Sequence, residues 1–248
     1  MVYPILDMNN NVVTPTVVLC HRNKHKIGAI YPISEWSITP DMYNKNECSF
    51  KVYKEVNGIA TPLWDQIKDL KVIYIPEYNE YFQISIDKTQ TNETVKTITG
   101  SNLGIAELSQ TMLYDIEINT EDDIARDAYK MAYIYDPTDI SSSLLGRVLS
   151  KAPHYKIKHV DASLCKLVRS FSINDKSIYD FLTGDLADEL NCLVWVDSYD
   201  RSISIYDLEN SCPKCGHRAE NETVCSKCRT TMTRGYGEYF NVPVSNDN

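Results

Sequence analysis

Residues 177–207, SIYDFLTGDLADELNCLVWVDSYDRSISIYD, contain the clearest structural pattern in the chain. Ser177 and Asp180 have the spacing of a capping box, in which two side chains satisfy backbone N–H groups at the start of a helix. Apolar residues then follow at helical spacing, at Ile178, Phe181, Leu182, Leu186 and Leu190. Residues 192–197 form an apolar run of strand length, and residues 201–206 alternate between polar and apolar side chains. The pattern predicts a helix packed on a hairpin, which is an α+β unit.

Residues 103–173 are predicted to contain both helices and a strand. Thr120 and Asp123 form a second capping-box pattern, and the acidic run that begins at Glu121 favours a helix start. Residues 103–110 are weakly helical, and a further helix is predicted after Ser143, with its apolar face on Leu144, Leu145, Val148 and Leu149 and its end before Pro153. Residues 166–173 are predicted to form a strand. We interpret the carboxylates that begin at Glu121 as structural and not as a catalytic acid pair. Asp185, Asp188 and Glu189, on the polar face of the helix that begins after Ser177, are interpreted as a solvated surface.

Residues 1–100 form a series of short predicted strands. Residues 48–55 alternate with a period of two, which is typical of a half-buried strand, and Asn57-Gly58 supplies a turn. The other strand candidates are residues 16–20, 26–33, 71–75, 81–86 and 94–99. Short connections between five or six strands favour a small barrel or sandwich.

Charge and length exclude several classes of protein. The 248 residues carry a net charge of −9 that is spread along the chain, which argues against a surface built for nucleic acid. Residues 21–26 contain five basic or histidine side chains, which we interpret as a solvated loop. The first seven residues do not have the pattern of a secretory signal, and no apolar run approaches the ~20 residues of a membrane span. We therefore expect synthesis and folding in a cytoplasm.

The eight cysteines are of two kinds. Cys20, Cys48, Cys165 and Cys192 are isolated and are predicted to be buried thiols. Cys212, Cys215, Cys225 and Cys228 form two Cys-x-x-Cys pairs separated by nine residues. This spacing predicts one structural zinc ion per chain, because each pair can direct two sulfurs at the same tetrahedral ion. A redox dithiol and unpaired buried thiols are the alternatives.

Four thiolates would leave no open position on the ion for water or substrate. The predicted zinc knuckle should therefore fold residues 211–238 and not catalyse a reaction. His217 would be redundant as a ligand and is predicted to lie on the surface. No metalloprotease, phosphate-loop or nucleophile-elbow motif is present. His159, Asp161 and Cys165 lie close in sequence, but we interpret them as the boundary between two elements, and we predict no catalytic residue and no enzymatic activity.

Several stretches of this sequence resemble the hub proteins of siphophage and prophage tails, the tail-associated or prophage endopeptidase tail family. The similarity extends over nearly the whole chain, and its motifs are structural. It is carried by residues 49–53 (SFKVY), 63–65 (LWD), 93–109, 151–155 (KAPHY), Ile157, His159, Val160, Asp161, 169–171, 178–181 (IYDF) and 186–194.

The resemblance implies a trimeric hub that continues or caps the tail tube and supports cell-wall penetration and DNA delivery. Its implied partners are two further copies of the chain, the distal tail protein, other baseplate proteins and the tape measure protein. Its implied location is the tail tip of the virion, after synthesis in the bacterial cytoplasm. The zinc knuckle departs from the simplest members of the family. A zinc-ribbon protein that binds nucleic acid and a subunit of a cell-wall hydrolase are the alternative functions.

The combined prediction is a strand-rich α+β chain in five segments. A β-barrel-like tube domain spans residues 1–100, and a connecting region spans residues 101–153. An α+β hub domain spans residues 154–210, the knuckle is inserted at residues 211–238, and residues 239–248 are expected to form a truncated return strand.

Overall fold

Strands predominate over helices in the part of the chain that the structure covers. The structure is a computed structural model that describes residues 13–39, 46–126 and 131–236. The chain divides into two compact units. The first comprises the residues up to Glu107 together with Val196–Arg201, and the second comprises Leu108–Trp195 and the residues from Ser202 onward. The predicted strand-rich α+β class is confirmed.

The first unit is built on one seven-stranded sheet with the order β2-β1-β7-β8-β9-β4-β3. All of the pairings described between its neighbouring strands are antiparallel. The strands of this unit are β1 (Val17–Cys20), β2 (Lys26–Ile30), β3 (Ile33–Thr39), β4 (Glu47–Tyr53), β5 (Glu55–Val56), β6 (Ile59–Ala60), β7 (Val72–Ile75), β8 (Glu80–Ile86) and β9 (Val95–Asn102). Helix α1 (Leu103–Ser109) follows β9 directly, and a single 3₁₀ turn covers Trp64–Gln66.

The edges of this sheet are consecutive in sequence. The predicted strand 26–33 is two strands, since β2 ends at Ile30 and β3 begins at Ile33, after a proline that has no backbone N–H to donate. The three peptide units between Ile30 and Ile33 can span at most about 11 Å. The end of β2, one edge strand, therefore lies near the start of β3, the other edge strand. No pairing between β2 and β3 closes the sheet within the described residues. The sheet therefore curls, but the described residues form no closed barrel, so the predicted barrel-like domain is not confirmed in that form.

The core of the first unit lies on the inner face of the curled sheet. In β4, Cys48, Phe50 and Val52 are buried while the residues between them are partly exposed, as the alternation in the sequence predicts. The fully buried side chains that pack with them are Leu19, Ile67, Ile73, Ile75, Phe82 and Ile98. The predicted turn at Asn57-Gly58 joins β5 to β6, and both residues have positive φ angles, of 52° and 76°. Such angles suit the tight hairpin turn that Asn-Gly sequences favour.

The second unit combines short helices with small sheets. Its helices are α2 (Glu121–Arg126), α3 (Leu144–Leu149), α4 (Ala162–Cys165), α5 (Ile178–Asp180) and α6 (Ala187–Leu190), with a π-helical segment at Phe181–Leu186 and a 3₁₀ turn at Ile140–Ser142. Its strands are β10 (Met112–Leu113), β11 (Ile116–Ile118), β12 (Lys156–Val160), β13 (Phe171–Ile173), β14 (Lys176–Ser177), β15 (Cys192–Asp197), β16 (Ser202–Asp207), β17 (Asn210–Ser211) and β18 (Arg218–Ala219). The main sheet has the order β12-β16-β15, and β12 runs parallel to β16.

Local signals placed three of the helical segments of the second unit, those at α2, at α3 and from Ile178 to Leu190, whereas α4 was not predicted. The Ser177 hydroxyl accepts a hydrogen bond from the Asp180 N–H at 3.0 Å, so the predicted cap is present. The Thr120 hydroxyl accepts one from the Asp123 N–H at 3.1 Å. The helical run from Ile178 to Leu190 buries the five apolar positions that the sequence indicated. Only residues 171–173 of the predicted strand 166–173 are in a strand. An irregular stretch connects the end of α4 at Cys165 to this strand.

The chain passes from one compact unit to the other after Glu107, after Trp195 and after Arg201. The finer division into five segments stays a prediction, and residues 239–248 lie outside the described residues. Among the helices that the structure describes, none is long and apolar enough to cross a membrane.

Candidate metal centre

Four cysteine sulfurs converge in the second unit. The ligand atoms of Cys212, Cys215, Cys225 and Cys228 all lie within 4.8 Å of one another. Cys212 Sγ is 3.4 Å from Cys228 Sγ, and Cys215 Sγ is 3.5 Å from Cys225 Sγ. A tetrahedral zinc ion with Zn–S bonds of about 2.3 Å would place its sulfurs about 3.8 Å apart. The structure therefore brings the four predicted residues together, and the spacing of their sulfurs could hold a single metal ion.

Two similar backbone turns aim the sulfurs. In the first, the Gly216 N–H donates to the Cys212 carbonyl at 2.9 Å, and in the second the Arg229 N–H donates to the Cys225 carbonyl at 2.9 Å. Gly216 and Arg229 occupy the same place after each pair, and both have a left-handed φ, of 70° and 60°. Glycine adopts this conformation without strain, whereas arginine does so at some cost. The second turn is therefore held by its surroundings and not by its own sequence.

Further contacts join the two turns into one segment. Strand β17 pairs with β18, the Thr233 N–H donates to Ser211 O at 2.7 Å, and the Met232 N–H donates to Thr223 O at 2.9 Å. The buried residues beside the sulfurs are few, with Met232 as the largest of them. We call residues 210–236 the knuckle segment. Because so little apolar surface is buried within it, a bound metal ion would contribute most of its stability.

The chemistry of the sulfurs suits a soft divalent metal. The pKa of Cys228 is lowered to about 6, first by the Thr230 hydroxyl, 3.3 Å from Sγ, and then by the Thr230 N–H. The backbone N–H of His217 acts to lower the pKa of Cys215, but hydrogen bonding with Cys225 and the neighbouring sulfurs outweighs it and raises that pKa to about 12. A metal ion would displace the remaining protons, since thiolates and not thiols are metal ligands. Four sulfur ligands in a tetrahedron are typical of structural zinc.

His217 lies beside the cluster without belonging to it. Its Nε2 atom is 3.3 Å from the Ser226 hydroxyl and 3.4 Å from the Glu222 carboxylate. The predicted surface position is only partly correct, because 19% of the His217 side chain is exposed. The contacts of the imidazole are with polar side chains of the second turn, and the four sulfurs complete the ligand set without it.

A buried ion pair connects the knuckle segment to the α+β structure of the same unit. The Arg218 guanidinium donates to both carboxylate oxygens of Asp207, at 2.8 Å and 2.6 Å, and also to the Leu190 carbonyl. Only 9% of the Arg218 side chain and 4% of the Asp207 side chain are exposed. The Ser163 hydroxyl, at 2.5 Å, and the Glu209 N–H, at 2.9 Å, donate to the same carboxylate. Sequence reasoning missed this pair, because nothing local marks an arginine and an aspartate as partners.

A cleft of about 620 Å³ lies next to this ion pair. Asp161, Ser163, Asp207 and Glu209 contribute to its walls. Asp161 accepts hydrogen bonds from the Asp207 N–H at 2.7 Å and shares one with His159 Nε2 at 2.8 Å. The carboxylates of the cleft are therefore engaged in holding backbone and side chains of the protein.

The other cysteines are separate from the metal centre. Cys20, Cys48 and Cys192 are buried as predicted, and Cys165 is partly buried. Burial raises the pKa of Cys165, and its Sγ lies 3.4 Å from the Asp161 carbonyl and not beside an activating base. Burial also raises the pKa of Cys192, to about 12. These thiols are thus held in their unreactive protonated form.

The basic loop at residues 21–26 contains one residue whose role the sequence did not reveal. Lys24 donates to the carbonyls of Ser198 and Tyr199, at 2.6 Å and 2.9 Å, and its ammonium lies 4.7 Å from the centre of the Tyr81 ring. Burial lowers the pKa of Lys24 to about 8. The loop is otherwise exposed, as predicted. Lys24 therefore fixes the Val196–Arg201 turn within the first unit.

The fold is that of a strand-rich α+β protein, and its four clustered cysteine sulfurs could hold a metal ion. No protein-family model matches the chain, and no curated protein matches it. Solved structures that resemble it include three tail proteins. The prophage tail protein gp18 from Listeria monocytogenes EGD-e is 13% identical, with a TM-score of 0.47 over 77% of this chain and 50% of that one.

The other two structures give similar values. The tail protein from Neisseria meningitidis MC58 is 9% identical, with a TM-score of 0.47 over 81% of this chain and 52% of that one. The 43 kDa tail protein of prophage MuSo2 from Shewanella oneidensis is 14% identical, with a TM-score of 0.46 over 81% of this chain and 58% of that one. The chain thus spans between half and three fifths of the length of these structures. All three are tail proteins, but superpositions at this level do not extend to function.

Proposed function

We propose that this chain is a structural component of a phage tail, located at the tail tip or hub, in which a zinc ion organises the knuckle segment. The closed set of four sulfurs supports a structural role, because it leaves no coordination position for a substrate. The resemblance of residues 49–53, 151–155 and 178–194 to tail hub proteins supports the location in the tail. The sulfur cluster and the sequence resemblance support the proposal independently of each other.

The proposed assembly is a homotrimer that continues or caps the tail tube. Its proposed neighbours are the distal tail protein, other baseplate proteins and the tape measure protein. The chain alone, purified under reducing conditions, should give the mass of three copies in solution and a ring in electron micrographs. A stable monomer or dimer that forms no ring would contradict the trimer.

Antibodies provide the test of location. Antibodies raised against the full chain should label one end of the tail on phage particles from the strain that carries this gene. Labelling of the capsid, or the absence of the chain from purified particles, would contradict the proposal.

We also propose that the chain has no hydrolytic activity of its own. Cys165 Sγ lies against the Asp161 carbonyl and His159 Nε2 against the Asp161 carboxylate, so these two are not arranged as a nucleophile and base. His217 Nε2 lies 3.3 Å from the Ser226 hydroxyl, but the same nitrogen faces the Glu222 carboxylate at 3.4 Å, so this carboxylate does not orient the ring from its other nitrogen as in a catalytic triad. The protein should therefore leave isolated cell walls intact in a zymogram. Turnover that co-purifies with the chain and disappears in a Cys165→Ala variant would show that it is a hydrolase. Salt-dependent binding of DNA would instead favour a zinc-ribbon nucleic-acid-binding protein.

A further inference from the structure

Arg218 has contacts that its position in the knuckle segment does not require. It lies on β18, between the two cysteine pairs, where Ser211 of β17 is its partner in the hairpin. Its side chain leaves the segment and ends on Asp207, at the end of β16, and on the Leu190 carbonyl, at the end of α6. We call the ends of α6 and β16 the Asp207 corner. One arginine thus joins the knuckle segment to two elements that have their own apolar core.

The chemistry of this contact makes it sensitive to position. A bidentate arginine–carboxylate pair needs both partners in one plane, and a buried carboxylate that loses its cation is left with an uncompensated charge. At the end of α6, Asn191 is left-handed with a φ of 46°, and the terminal Leu190 carbonyl accepts from Arg218. Removing Arg218 would leave that helix carbonyl and the Asp207 carboxylate without this donor.

The position of Arg218 depends on the sulfur cluster. The Cys212 N–H donates to the carbonyl of His217, the residue before Arg218, at 2.8 Å. The hairpin that presents Arg218 has only two residues in each strand, too few to be stable alone. The turn at Cys212–Gly216 must therefore hold its shape for Arg218 to reach Asp207, and a metal ion on the four sulfurs would hold it.

We infer that Arg218 is a positioning residue that couples metal binding to the Asp207 corner. This inference rests on the proposed metal site. With zinc bound, Arg218 stays on Asp207 and the ends of α6 and β16 are fixed. Without zinc, the turn loosens, Arg218 leaves, and the corner opens. Because coupling is reciprocal, loss of the arginine must weaken zinc binding by the same factor by which zinc strengthens the ion pair.

Hydrogen exchange of the full chain tests the coupling. The protein is compared with zinc bound, after chelation under reducing conditions, and after zinc is added back. Peptides that cover α6 and β16 should exchange roughly tenfold faster or more without zinc and should recover when zinc returns. If the chain binds zinc but the exchange of these peptides is unchanged when the zinc is removed, the coupling is overturned. A chain that binds no zinc would contradict the metal site itself. The comparison uses the wild-type chain and does not depend on the folding of a variant.

Variants of Arg218 test the same inference through zinc affinity, measured by competition with a chromophoric chelator. Arg218→Gln should lower the affinity roughly tenfold or more, in the range typical of residues that position metal ligands. Arg218→Lys should fall between it and wild type, since lysine restores the charge without the bidentate geometry. Lys151→Gln removes an exposed positive charge elsewhere in the second unit and is the control, with a change of less than about twofold expected. Equal affinities for Arg218→Gln and Lys151→Gln would overturn the inference.

Discussion

The first unit and the knuckle segment are stabilised in opposite ways. The seven-stranded sheet encloses large apolar side chains such as Phe50 and Phe82, which are 1% and 0% exposed. The knuckle segment buries little beyond Met232 and the sulfurs of its own cysteines. Burial of apolar surface stabilises the sheet without any bound ligand. The knuckle segment instead depends on a ligand, so its stability should follow the availability of metal and the redox state.

Cys215→Ser should produce the largest difference between the two regions. Structural zinc contributes an apparent 10–16 kcal/mol to the folding of small zinc modules. Loss of one thiolate should therefore release the ion and abolish hydrogen-exchange protection across residues 210–236. Protection in the seven-stranded sheet should not change. Cys165→Ser, outside the cluster, is the control and should keep the metal. Retention of one zinc by Cys215→Ser would show that the sulfurs do not act as a set.

Phe82→Ala should have the converse effect. Truncation of a fully buried phenylalanine costs about 3–5 kcal/mol, because the core loses the ring and retains part of the cavity. Chemical denaturation should show that the transition of the first unit moves to lower denaturant, while metal content stays the same. Tyr31→Ala removes an aromatic ring that is 76% exposed and should have little effect. Metal loss in Phe82→Ala would mean that the two regions are not independent.

Gly146→Ala tests close packing at a site without metal. A methyl group at this position would lie 1.8 Å from the Ile140 carbonyl oxygen, so α3 and the preceding 3₁₀ turn would have to separate. Such overpacking costs about 1–3 kcal/mol, and denaturation followed by a probe in the second unit would measure it. Gly184→Ala is the matched change, since its methyl group would meet nothing within 4 Å. An equal loss of stability in both variants would refute the steric explanation.

Ser177→Ala should have the smallest effect of the series. The variant loses the hydroxyl that accepts the Asp180 N–H, and loss of such a cap costs about 0.5–2 kcal/mol. Thermal unfolding of the second unit should show a modest decrease, and Ser177→Asn, which can accept the same hydrogen bond, should restore most of it. A variant that is indistinguishable from wild type would mean that the cap contributes no stability.

The features that the sequence predicted correctly are local. The caps at Ser177 and Thr120, the alternation of β4 and the two Cys-x-x-Cys pairs each depend on residues within a few positions of one another. The convergence of the two pairs was also predicted, because one tetrahedral ion takes four ligands and each pair supplies two of them.

The features that the sequence did not reveal depend on distant partners. Arg218 is 28 residues from Leu190, and Lys24 is 174 residues from Ser198. No local pattern distinguishes these cations from solvated ones. The end of β2 at Ile30 and the start of β3 at Ile33 also involve different partners, since β2 pairs with β1 and β3 pairs with β4. Pairing with strands that are distant in sequence decides which residues with strand propensity form a strand.

The metal content of the purified chain tests the central claim most directly. Protein prepared under reducing conditions without added metal chelator should contain about one zinc ion per chain by elemental analysis, since four thiolates fill one tetrahedral site. The four cysteines of the cluster should resist thiol-modifying reagents until the zinc is removed. Protein that contains no metal, or in which Cys212, Cys215, Cys225 and Cys228 form disulfides despite protection from oxidants, would contradict the account.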